Sequence, residues 1–433
     1  MLKKLINTKF KKDLAFSYFT QGITIGLGFI QLFLINRYFG VETYGQLAII
    51  MSTAGIFSAL LTARSSEAIT RFFTREMLNN NFQNAKFILF VGFCIDVITA
   101  LFMIGLTYLL SEFVAETFMK NIKFSSEVFL YSFVIFFGFL RGTIFGYFQS
   151  KEMFFLINTI TIFESFIKIV ALILIVFVFS NSTLEDVIWT LIVASFLSFL
   201  YALIVFLKHY IQEFWTTHLF FNKVILKEYW SFNIKTFTSS SLKAGNNNID
   251  NLLIAYFLNA QLVGFYQIIK KILSPIAIVV GPFSMLVYPK LVHFFEKKEA
   301  DKFKNLIFKI SLYIFLFSIF YILVGYVFIE EIFALMNIEL SSELYVLYGL
   351  LSVLILVTSM LWWTRVFSNV VDPNYSLYMN IFATIFQLTI TVLATYLFSV
   401  NGLIVSMIVM NSIIGIYWLM KVRNYVRKTI YIY

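Results

Sequence analysis

Charge is scarce in this 433-residue chain: Asp, Glu, Lys and Arg together make up 13% of it, where soluble domains carry about 25%. That scarcity excludes an ordinary water-soluble fold. Cysteine is reduced to one residue, Cys94, inside an apolar run, so no intrachain disulfide can form. The three histidines, His209, His218 and His293, lie far apart in polar connections. The sequence holds no HExxH, paired CxxC, P-loop or GxSxG, so neither a metal nor a cofactor is expected.

Hydrophobic residues make up 60% of the chain, and the mean hydropathy is +0.86. Apolar runs of roughly 20 residues recur throughout, each long enough to cross a hydrocarbon core about 30 Å thick as a helix. In lipid only helices and closed barrels satisfy every backbone polar group. Barrel strands alternate in polarity, and runs such as "ALILIVFVF" (Ala171 to Phe179) do not. An all-α integral membrane protein is therefore expected. The basic start "MLKKLINTKFKKDLAF" leads into an apolar run reaching Leu34 with no small-residue cleavage site, so it reads as a retained first helix.

Twelve spans are expected, at about 14–36, 44–63, 85–110, 128–148, 154–179, 186–207, 233–257, 262–288, 304–328, 344–367, 375–398 and 402–420. The net charge of +10 then reads as topology, with no nucleic-acid partner. Lys3, Lys4, Lys9, Lys11 and Lys12, the loop residues Arg71 and Arg75, and Lys223, Lys227, Lys297 and Lys302 all fall on one side, with Arg423 and Arg427. Acids such as Glu185, Asp186, Glu330, Glu331 and Glu343 fall on the other. By the positive-inside rule both termini are cytoplasmic.

The two halves overlay at a nearly constant shift. "LINRYFGVETYG" from Leu34 matches "LIAYFLNAQLVGFY" from Leu253, and "RFFTRE" from Arg71 matches "HFFEKK" from His293. "FQNAKF" from Phe82 matches "FKNLIF" from Phe303, and "NTITIF" from Asn158 matches "NIFATIF" from Asn380. The reading is two related six-helix lobes, 1–212 and 213–433, around a central cavity. Such repeats are common in transporters that work by alternating access.

The stretch "NRYFGVETYGQLAIIMSTAGIFSALLTARSSEAITRFF" (Asn36 to Phe73) resembles the start of Wzx-type polysaccharide flippases: a first helix ending near "FG…YG", a Ser/Ala/Gly-rich second helix, then an "AI-RF" stretch. "NIDNLLIAYFLNAQLVGFYQIIKKI" (Asn248 to Ile272) resembles their seventh-to-eighth helix connection. The resemblance implies the multidrug/oligosaccharidyl-lipid/polysaccharide exporter superfamily and a MATE-like fold. It further implies a bacterial inner-membrane flippase, not an enzyme. Its substrate would be an oligosaccharide on undecaprenyl diphosphate, serving O-antigen, capsule or a related polymer, with membrane lipids and polysaccharide polymerase machinery as partners.

Charges within apolar spans cost about 2.5–3.5 kcal/mol each on insertion scales and therefore face a cavity or a partner. Arg141, Lys168, Lys243 and Lys270 are candidates for a cationic lumen that binds a diphosphate. Against this, Glu164 and Lys168 have the i, i+4 spacing of an intrahelical pair. Arg141 has no acid one helical turn away. Ser239, Lys243, Asn246 and Asp250 fall on one stripe with Asn247 beside it, suiting either a wet cavity face or polar packing against another helix. Asp96, Glu164 and Asp250 are candidates for ion coupling. Arg64 and Arg365 read as anchors near the cytoplasmic ends of their spans. A cation-coupled multidrug antiporter of the same fold is the alternative, but it favours an acidic cavity. A sugar-transferring membrane enzyme calls for a large outer loop, and the sequence has none.

Overall fold

The computed structural model describes residues 8–61, 65–178, 183–233, 248–297, 299–364 and 373–430. These residues form helices throughout and no strand. In chain order the helices are α1 (Thr8–Leu61), α2 (Ser65–Leu78), α3 (Phe82–Phe118), α4 (Ser125–Ser150), α5 (Phe154–Val178) and α6 (Leu184–Phe214). Then follow a short helix over 223–233, α7 (Ile249–Phe257), α8 (Ala260–Glu296), α9 (Ala300–Val327), α10 (Ile329–Leu335), α11 (Ser342–Met360) and α12 (Pro373–Ile430). Eight helical stretches among these residues are long and apolar enough to cross a bilayer. Every expected span except the seventh lies on a described helix over most of its length. The all-α membrane architecture stands.

Large apolar side chains point outward, among them Leu109 (76% exposed), Phe177 (78%) and Phe320 (66%). In water that would be a liability; in hydrocarbon it costs nothing, because lipid tails are as apolar as leucine. The chain forms two compact units, Met1–Tyr256 and Phe257–Tyr433. In the first, the core joins Ile69, Phe72 and Phe73 of α2 to Ile88 of α3, Tyr147 and Phe148 of α4, and Phe206 of α6. Tyr229 of the short helix completes it. The second unit packs Leu291 and Phe303 against Trp362, Trp363 and Trp418, and the Trp362 indole donates to Ser311 Oγ at 3.1 Å.

The connection after the second span is not a loop. Residues "SSEAITRFFTREML" form α2, which buries Ala68, Ile69, Phe72 and Phe73 on one face and leaves Arg71 and Arg75 exposed. Apolar residues at i, i+1, i+4 and i+5 mark a helix lying along a surface. The sequence count missed it because α2 is too polar to be a span.

Helix boundaries repeat at nearly one offset. The start of α3 at Phe82 pairs with that of α9 at Ala300, and α4 at Ser125 with α11 at Ser342. The end of α2 at Leu78 pairs with that of α8 at Glu296. Even the break at Gly40 inside α1 has its counterpart in the second half, where α7 ends at Phe257 and α8 begins at Ala260. The internal duplication is thus written in the helix ends as well as in the residue matches.

Two of the breaks use a backbone region that suits glycine. Gly40 has φ 85°, ψ 162°, and Ser399 has φ 59°, ψ −152°. A Cβ at Gly402 would sit 2.2 Å from the Ala394 carbonyl oxygen, so the second break closes only around a glycine. Ser399 holds a conformation that costs a side-chain-bearing residue about 1–3 kcal/mol. Ser399→Gly is expected to raise the thermal midpoint in detergent, and Gly40→Ala to lower it, each by the equivalent of about 1 kcal/mol. A lower midpoint for Ser399→Gly would refute the strain at that break.

Candidate functional site

Three helices of the first unit bring charge together. Glu164 on α5 accepts from Lys168 Nζ at 2.7 Å, one turn along the same helix. Its other carboxylate oxygen pairs with Arg141 of α4. The same Arg141 nitrogen donates to Ser198 Oγ of α6 at 2.7 Å. The side chains are 13% (Arg141), 14% (Glu164) and 24% (Lys168) exposed, so the cluster is largely removed from solvent. One carboxylate is shared by two cations, and the triad carries one net positive charge.

The local sequence explains why it assembles. Spacing i, i+4 with the acid first places Lys168 over Glu164. "FFGFLRGTIFG" puts Arg141 between Gly138 and Gly142. The guanidinium also lies 5.9 Å from the Phe145 ring centroid. Sequence spacing pointed to the Glu164–Lys168 pair, but Arg141 showed no acid one helical turn away. Its partner comes from the neighbouring helix, which no intrahelical pattern reveals.

Asp96 is 3% exposed. It accepts from the backbone N–H of Thr143 at 2.7 Å, with Ser65 alongside. Gly142 makes the approach possible, since a Cβ there would lie 3.1 Å from Asp96 Oδ1. Gly146, one turn further, admits α2 so closely that a Cβ would sit 2.9 Å from Ser66 backbone atoms. Asp96 therefore ties α3 to α4 at the point where α2 begins.

The polar stretch before α7 is described only from Asn248. Asp250 is 3% exposed, and its Oδ1 accepts from the Asn251 N–H at 3.0 Å in the first turn, where a carboxylate favours the helix dipole. Asn251 donates to Ser52 Oγ of α1 at 2.7 Å. A Cβ on Gly55 would fall 2.8 Å from Asn248 Nδ2. The Ser- and Gly-rich face of the second span is thus the seat for this end of the polar stretch, as interhelical polar packing in membranes requires. Ser239, Lys243, Asn246 and Asn247, with the anchors Arg64 and Arg365, lie outside the described residues. In the second unit Lys270 lies half-buried, 5.2 Å from the Tyr266 ring centroid. Among the described residues no cluster of His, Cys, Asp and Glu has the arrangement of a metal site.

Across the offsets spanned by the residue matches and the helix ends, Arg141 corresponds to the window Thr358–Trp363, Glu164 to Ile381–Phe386 and Lys168 to Ile385–Ile390. None of these windows holds a charged residue.

A family model described as "Polysaccharide biosynthesis protein" matches residues 10–295. No curated protein sequence matches the chain. Solved structures share its fold at low identity. An inward-facing multidrug resistance MATE family transporter of the MOP superfamily is 12% identical with a TM-score of 0.73, over 94% of this chain and 95% of that one. The lipid II flippase MurJ, in an inward closed conformation, is 14% identical with a TM-score of 0.70, over 95% and 89%. The MATE multidrug transporter DinF-BH, solved as a complex, is 12% identical with a TM-score of 0.61, over 98% and 97%. The MATE-like fold expected from the sequence is the fold observed.

Removing one member of a buried charge cluster leaves the others uncompensated, at a cost of about 3 kcal/mol. Glu164→Gln should therefore lower the detergent-solubilised midpoint more than Arg141→Met, Glu164→Leu and Lys168→Met combined in one chain. If Glu164→Gln leaves the midpoint unchanged, the carboxylate does not hold the two cations.

Proposed function

The chain belongs to the polysaccharide biosynthesis protein family, and from that premise we propose that it is a flippase for lipid-linked oligosaccharides. It moves undecaprenyl-diphosphate-linked repeat units from the cytoplasmic to the periplasmic leaflet of a bacterial inner membrane, by alternating access of two related lobes, 1–212 and 213–433. The family match over residues 10–295 carries this reading. The repeat units serve O-antigen, capsule or a related polymer and pass to polymerase machinery on the outer face. Both termini are cytoplasmic.

The charge chemistry supports the same reading. A diphosphate leaving water needs cations to replace its hydration, and Arg suits it through a bidentate fork. Arg141 and Lys168 supply two cations around a single carboxylate, and Lys243 and Lys270 add basic groups on the seventh and eighth spans. A diphosphate with two or more negative charges competes with Glu164 for both cations. By sequence spacing, Ser239 and Asn246 share the stripe of Lys243, with Asn247 beside it. Asp96, Glu164 and Asp250 are the carboxylates available for ion coupling. Asp96 is the weakest of them, because its oxygen is engaged by the Thr143 backbone.

Deleting the gene should abolish surface polysaccharide and trap lipid-linked repeat units on the cytoplasmic leaflet; this chain should restore export. Arg141→Ala and Lys243→Ala should each reduce export at least tenfold while the protein remains in the membrane, with Arg141→Lys recovering part of it. Normal polysaccharide after deletion, in a strain with no redundant transporter, would exclude the flippase reading. Drug efflux by the intact chain would then favour the antiporter.

A further inference from the structure

Beside the core of the first unit, α2 and the 223–233 helix enclose an open groove of about 560 Å³. Arg71, Arg75 and Lys227 line it, with Glu228, Ser231 and the rings of Phe72 and Phe232. The two guanidinium groups are held over aromatic faces. The Arg71 guanidinium lies 5.0 Å from the Phe232 centroid and 5.6 Å from that of Phe72, and Arg75 lies 5.1 Å from Phe72. Arg75 pairs with Glu228 at 2.8 Å and with Glu76 at 2.9 Å. No salt bridge among the described residues involves Arg71 or Lys227. A stacked guanidinium keeps its edge N–H groups free, and that edge matches two oxygens of a phosphate.

The surroundings give the height of the groove relative to the bilayer. Trp215 (78% exposed), Phe220 (58%), Phe221 (64%), Val224 (67%) and Trp230 (48%) run along the segment leading into and through the short helix. Exposed aromatics directly beside lysine and arginine are the composition of a membrane-water interface. A cationic groove at that level meets lipid headgroups before it meets anything dissolved.

We propose that this groove is a binding site for the phosphate of a membrane lipid, with Arg71 and Lys227 as its ligands and Arg75 as a third cation restrained by Glu228. The phosphate belongs either to an ordinary anionic phospholipid or to a polyprenyl diphosphate, and the same groups recognise both. The site stands independently of the transport activity proposed above.

Native mass spectrometry of the full chain tests it with three probes: dioleoyl phosphatidylglycerol, farnesyl diphosphate and the zwitterionic dioleoyl phosphatidylcholine. Arg71→Gln with Lys227→Gln should weaken retention of an anionic probe at least tenfold, given about 1 kcal/mol per basic residue near a charged membrane surface, and should leave phosphatidylcholine unchanged. Lys297→Gln with Lys302→Gln removes the same charge at exposed positions elsewhere and should have little effect. Glu228→Gln, which leaves Arg75 held by Glu76 alone, should tighten retention. Selective loss of phosphatidylglycerol identifies a phospholipid site, and selective loss of farnesyl diphosphate a polyprenyl one. Equal loss in both double variants would overturn the proposal by reducing it to bulk charge. Displacement of the lipid by an equal concentration of inorganic phosphate would also overturn it, since the site would then serve a free anion.

Discussion

A helix that carries an ionised side chain into hydrocarbon must find a counter-charge there, and the first unit depends on that constraint at Glu164. One carboxylate accepts from Lys168 on its own helix and from Arg141 on α4, and Arg141 reaches on to Ser198 of α6. Three adjacent helices are thereby joined through polar atoms in a medium that supplies no driving force for apolar association. Asp96 does the same between α3 and α4 through the Thr143 N–H. Asn251 does it between α7 and α1 through Ser52. At two of these places a small residue lets the backbones approach: Gly142 at Asp96 and Gly55 beside Asn248.

Most of the fold was legible in the sequence, because the bilayer turns length and hydropathy into helices almost by itself. Spans such as "FFLINTITIFESFIKIVALILIVFV" admit no other reading. Two features escaped. The α2 helix is short and charged, so a span count passes over it; its signal was the spacing of Ala68, Ile69, Phe72 and Phe73. The helix over 223–233 hid in the same way, with Ile225 and Tyr229 as its buried face.

The candidate site was legible only in part, for a physical reason. Pairs within one helix follow from spacing, and Glu164–Lys168 was visible. Pairs between helices depend on rotation about each helix axis, which composition does not set. Arg141 looked solitary until α5 was placed beside it. Asp250 shows the converse: its stripe suited a cavity or a packed interface, and its neighbour Asn251 packs on α1. The cation–ring groove on α2 could not be anticipated, because Phe232 and Arg71 lie far apart in sequence.

The duplication makes a sharper argument than burial alone. Helix starts recur in matched pairs, Phe82 with Ala300 and Ser125 with Ser342, in step with the residue matches between the halves. The second half, however, has neutral residues throughout the windows that correspond to Arg141, Glu164 and Lys168. Where Asp96 stands on α3, the register of α9 places Ile314, which is 2% exposed. The plan therefore folds without these charges. An uncompensated charge in a span costs about 2.5–3.5 kcal/mol, and a paired one is at best comparable to well-packed apolar residues. The triad is therefore an addition of the first half to the shared plan, and there it joins α4, α5 and α6.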